Sequence, residues 1–119
     1  MSEWFKLVKE EFSKKDQEQQ WTYSCLFSFT FKKRNITEIT ITDHFQVEHK
    51  EVITQELILN LLKEKIHGRK RMKPRTRHGI RDIYIRESTS YQGKKYRLIF
   101  WFKDHTTNHL WIRNCHPQD

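Results

Sequence analysis

Glycine and proline are scarce, at three and two in 119 residues. So few breakers leave no flexible linker, and a single domain is expected over 1–119. Within it, 1–50 reads as an N-terminal elaboration and 51–119 as a helix plus three strands. Cysteine is also rare. Cys25 and Cys115 are too few for a disulfide scaffold; they can pair, but in a reducing compartment thiols are the default. No 18-residue apolar run is present, so neither a transmembrane helix nor a membrane partner is expected. The opening residues MSEWFKLVKEEF are charged throughout and lack the apolar stretch of a signal peptide, which makes the cytoplasm the expected compartment. There is no phosphate-cradling glycine loop, no nucleophile elbow, no zinc-finger spacing and no carboxylate cluster for magnesium. Neither a metal nor a cofactor is expected.

Acids are the minority charge. Fifteen Asp and Glu face 23 Lys and Arg, giving +8 and a pI near 9.6. Such a balance favours polyanionic partners, and nucleic acid, RNA above all, is the expected one. Aromatic residues make up 13%, enough to exclude a disordered chain.

Periodicity then assigns elements. Trp4, Phe5, Val8 and Phe12 share one helical face with Leu7 beside it, predicting an amphipathic helix over 3–17. Trp21, Tyr23, Cys25, Phe27, Phe29 and Phe31 alternate with smaller residues, predicting a half-buried strand. A polar turn at Lys32–Asn35 leads to a β-branched strand over 36–42. Asp43 reads as the cap of a short helix starting at His44. Thr54 caps a longer one, whose buried stripe is Leu57, Ile58, Leu61, Leu62 and Ile66 and whose stop is Gly68. Strands are predicted over 80–87, 95–103 and 109–115, joined as antiparallel hairpins. The expected fold is α+β: an antiparallel sheet with helices packed on one face.

Two features carry chemistry. Arg69, Lys70, Arg71, Lys73, Arg75 and Arg77 are six cations in nine residues with no acid among them, and removing them leaves only +2. Phosphate contact by this loop, with His78 beside it, competes with a solvated charge run. In addition, Arg81, Arg86, Arg97 and Arg113 interrupt apolar strands. Converging guanidiniums neutralise a pentacoordinate phosphate, and histidines move protons to and from it, as metal-free RNA cleavage requires. The alternative is that these arginines snorkel to the sheet edge. Trp101 and Trp111 are read as core residues in preference to base-stacking platforms.

Arg81-Asp82-Ile83-Tyr84-Ile85-Arg86, Tyr96-Arg97-Leu98-Ile99-Phe100, and Leu110-Trp111-Ile112 leading to Cys115-His116 together resemble the RelE/YoeB/ParE family of bacterial toxins over about residues 80–118. The resemblance implies a RelE-like, microbial-ribonuclease-like core and a metal-independent endoribonuclease that cleaves by 2′-hydroxyl attack. It casts Arg97 as transition-state arginine, His116 as proton-transfer group, and Arg81 and Arg113 as phosphate ligands. Ribosome-bound messenger RNA and an acidic antitoxin would be the partners. The acidic base of the YoeB branch has no counterpart between Arg69 and Arg81. A second pattern, Thr42-x-His44-Phe45 with Glu51, Ile53-Thr54 and Glu56, is similar to an uncharacterised family related to the same nuclease-like fold, and implies His44 as a base facing His116. A helix-capping role for His44 is the alternative. A non-catalytic nucleic-acid-binding protein and a small interaction module stay open beside the enzyme.

Overall fold

The computed structural model describes residues 4–44 and 52–118. Seven strands form one mixed sheet: β1 (Phe5–Ser13), β2 (Glu18–Phe31), β3 (Arg34–Thr42), β4 (Thr76–His78), β5 (Arg81–Tyr91), β6 (Lys94–Phe102) and β7 (His109–Gln118). Their spatial order is β1-β2-β3-β7-β6-β5-β4. The chain thus makes two antiparallel meanders, β1-β2-β3 and β4-β5-β6-β7, which join in the middle. The join is parallel, with Ile39 beside Leu110 and Ile41 beside Ile112.

Between the meanders runs α1 (Gln55–Leu61), which continues through one π-helical turn over Leu62–Ile66. Thr54 caps it, its hydroxyl accepting from Leu57 N at 3.1 Å. Gly68, at φ +85°, ends it in the left-handed region that favours glycine. The predicted stripe is the one that packs: Ile58, Leu61, Leu62 and Ile66 are fully buried. They lie on Phe29, Phe31, Ile39, Ile41, Leu98, Phe100, Leu110 and Ile112, which come from one face of the sheet. Phe31 sits edge-on to Tyr84 at 5.3 Å and to Phe100 at 5.5 Å, geometry that favours aromatic pairs.

The structure corrects the expected fold class. The sheet is mixed, not antiparallel, and among the described residues the single helical segment is 55–66, so this is not an α+β fold with helices packed on a sheet. The largest error is at the N-terminus, where 5–13 is a strand. β2 is 14 residues long and presents an edge that a helix leaves unsatisfied; β1 pairs with it from Phe5↔Cys25 to Ser13↔Glu18. Of the stripe a helix would have buried, Trp4, Val8 and Phe12 stay exposed, with Leu7 beside them, while Phe5 packs against the core. Sheet pairing here overrides helical periodicity. Of the short helix expected from His44, His44 itself is described and helical, while Phe45 and Glu51 lie outside the described residues.

The two predicted C-terminal hairpins form, β5 with β6 and β6 with β7. The β5–β6 hairpin turns through Gln92 and Gly93, both at positive φ. The basic loop is shorter than expected, because Thr76–His78 pairs with Arg81–Ile83 as β4. No helix among the described residues is long and apolar enough to cross a membrane.

Candidate functional site

Alternation along each strand sends every second residue to the face away from α1. On that face β2 contributes Glu18, Gln20 and Thr22, β3 contributes Thr40 and Thr42, and the last strands contribute Trp101, His109, Trp111 and Arg113. Much of it is buried yet polar, and it is satisfied by a hydrogen-bonded chain. The Thr22 and Thr40 hydroxyls lie 2.8 Å apart, and the Thr40 hydroxyl lies 2.7 Å from His109 Nε2. Thr42 donates to the Arg113 carbonyl at 3.0 Å.

At one end of this face lies a cavity of about 610 Å³. Glu18, His44 and Arg113 form its most closely bonded group. Glu18 is 6% exposed. One of its oxygens lies 2.9 Å from His44 Nε2 and 3.9 Å from Arg113 Nη1; the other accepts from Gln20 Nε2 at 2.9 Å. A carboxylate has no proton to give, so the bond to neutral His44 requires the hydrogen on Nε2 and makes Nδ1 the basic nitrogen. Burial, then the Arg113 charge, holds the His44 pKa below its ordinary 6.5 against the opposing pull of Glu18 and Asp43. His44 is therefore neutral at pH 7, as a general base must be.

Arg81 also lines the cavity. Its guanidinium grips Asp104 through two bonds, 3.0 Å from Nε and 2.7 Å from Nη2, and lies 4.5 Å above the Trp101 ring. The Arg81 hydrogen bonds keep the Asp104 carboxyl below the usual carboxylate range. Trp101 is buried beneath Arg81, as its reading as a core residue expected, but on the face away from α1. Trp111 is half-buried, outside the helix-side core, and lines the cavity with Lys15 and Lys103.

The four residues expected to act in catalysis divide between two places. His44 and Arg81 share this cavity, together with Arg113, which the resemblance cast as a phosphate ligand. Arg97 and His116 form a separate pair, directly opposite each other across β6 and β7. Arg97 lies four residues from Trp101, about 13 Å along an extended strand. Its Nε is 3.6 Å from Glu87, too long for a hydrogen bond. His44 thus faces Glu18 and Arg113, where the sequence expected His116. Cys115, beside His116, is buried in the helix-side core, which pushes its thiol up to about 12.

The basic loop is exposed throughout its cations. Arg75 lies 3.6 Å from Glu87 and Arg77 lies 3.9 Å from Asp82, so β5 supplies acids that the loop itself lacks. Arg69, Lys70 and Arg71 border a second cavity on the helix side, and Lys73 and His78 are exposed. Among the described residues, no three His, Cys, Asp or Glu side chains are gathered as a metal site would require.

Sequence reasoning missed Glu18, Lys15 and Lys103. Glu18 carried a faint signal, since it continues the polar side of the β2 alternation below Gln20 and Thr22. Comparison with protein-family models, with curated proteins and with solved structures returned no match.

Proposed function

We propose that this protein is a metal-independent endoribonuclease whose centre is the Glu18–His44–Arg113 cluster. That cluster is the observation that carries the reading: a buried carboxylate orients a neutral histidine beside a guanidinium, at the wall of an open cavity.

Neutral His44, held through Nε2, takes the proton of an RNA 2′-hydroxyl at Nδ1. The 2′-oxygen attacks the adjacent phosphorus as the bond to the 5′-oxygen breaks. The products are a 2′,3′-cyclic phosphate and a 5′-hydroxyl. Arg113 and Arg81 neutralise the charge that accumulates on the phosphoryl oxygens. Lys15 and Lys103, which line the same cavity, are the cations placed to return a proton to the departing oxygen. Glu18 orients His44 and stabilises its imidazolium once formed. The Arg97–His116 pair, the core of the toxin resemblance, becomes a flanking contact in this reading. The toxin role, with an acidic antitoxin as its partner, rests on the strand pattern of 80–118 alone.

A second reading is a non-catalytic RNA-binding protein, favoured by Trp111 at the cavity, where a base can stack. Incubation of labelled single-stranded RNA with the protein in chelator, beside His44→Ala and Glu18→Gln, separates the two. Cleavage to cyclic-phosphate ends that is lost in His44→Ala supports the enzyme. Retention of intact RNA by both proteins moves the function to binding.

A further inference from the structure

The second cavity, about 640 Å³, lies where the basic loop leaves the helix, and its lining is Gly68, Arg69, Lys70, Arg71, Met72 and Arg86. Four of the six are cations and none is an acid. Arg86 reaches it from β5, where it stands opposite Leu98. Its Nε is buried with no hydrogen-bond partner. A buried donor left without an acceptor is destabilising, the more so when it is charged. The neighbouring Arg69 charge raises that cost, and burial together with Arg69 pulls the Arg86 pKa down. Arg69 itself is held in place, its Nε donating to the Lys65 carbonyl at 2.9 Å. This is a concave site whose crowded cations have no acid among them, a charge that a bound anion would offset.

Its position relative to the first cavity says which anion. Arg81 and Arg86 are an odd number of residues apart on one strand, so they serve opposite faces of the sheet, about 16 Å apart along it. Leaving the second cavity, the chain carries Lys73, then Arg75 and Arg77, which lie near Glu87 and Asp82, on its way through the edge strand β4. A ligand bearing one negative charge per repeating unit matches such a row. An isolated phosphate meets only one end of it.

We propose that the Arg86 cavity is a second phosphate site, and that a single RNA strand held in the first cavity wraps round the β4–β5 edge to place a backbone phosphate there. The proposal rests on the RNA reading but not on catalysis. Its test therefore uses 2′-O-methyl RNA, which has no 2′-hydroxyl to attack. Strands of about four and about sixteen nucleotides, a span typical of single-strand sites, are titrated by fluorescence anisotropy at several salt concentrations. The full chain is compared with Arg86→Gln and with the double variant Lys70→Gln/Arg71→Gln, whose exposed side chains can change without disturbing the core. Both variants should bind the long strand about tenfold or more weakly, with the salt slope reduced by about one for each phosphate that is no longer held. The short strand should be bound as before. Unchanged long-strand affinity in the double variant, or equal weakening for both lengths, overturns the proposal. So does an unmodified protein that binds the long strand no better than the short one. A polyglutamate peptide that binds the unmodified protein more tightly than the long RNA, and loses that in the double variant, would assign the cavity to an acidic protein instead. Absence of cleavage in the chelator assay would remove the nuclease reading while leaving these affinities interpretable.

Discussion

The two faces of this sheet are built from the same strands and do different work. Toward α1 the residues are Phe, Ile and Leu, packed to nearly zero exposure. On the other side the alternating positions carry Glu18, Gln20, Thr40, Thr42 and His109, also buried, but each has a hydrogen-bond partner. Buried polar groups are tolerated only when satisfied, and a fully satisfied network holds its members in fixed geometry. One face therefore supplies stability by excluding water. The other gives up apolar area and gains a preorganised Glu–His–Arg cluster.

The sharpest way to break this comparison is at His44. Replacement by alanine should lower RNA cleavage about 10²–10⁴-fold, the usual span for a general base, while leaving the melting transition close to that of the unmodified protein. A large loss of stability with cleavage intact would reverse the assignment. On the other face, Phe31→Ala should cost about 3–5 kcal/mol in urea unfolding, because it empties a fully buried aromatic site between the sheet and α1. It should affect RNA affinity only through the fraction of folded protein.

Trp111→Ala sharpens the contrast further. Half-buried and outside the helix-side core, Trp111 should contribute little to stability, whereas RNA affinity should fall by about 1–3 kcal/mol if a base stacks on it; equal affinity would remove the stacking role. Acidification tests the polar face as a whole. His44 and His109 both titrate below 6.5 in the folded chain, mainly through burial. The unfolded chain then binds more protons in that window, so stability should hold above pH 6.5 and decline as pH falls from there through the folded values. Cleavage should decline over the same range as His44 takes a proton, and unfolding measured at pH 5 and pH 7 checks the sign. The smallest effect is expected at the helix cap, where Thr54→Ala should cost about 1 kcal/mol with no change at the cavity.

Much of this was legible locally. The alternation from Trp21 to Phe31, the stripe from Leu57 to Ile66, Gly93 in its hairpin and the density of cations after Gly68 are patterns a short window contains, because strand and helix periods repeat within a few residues. Local pattern failed at 5–13, where a helical stripe and an open strand edge competed and the edge prevailed through pairing with residues up to 25. It failed again at the site. Glu18 and His44 are 26 residues apart, and neither is unusual in its own window. The sequence by itself determined the apolar faces, the turns and the excess of positive charge. Only the tertiary structure decided that β3 would run parallel to β7, that His44 would meet Glu18 and Arg113 in place of His116, and that Arg86 would bring a buried Nε beside Arg69. Those outcomes depend on which strands become neighbours, and strand pairing is set by long-range closure that no local period encodes.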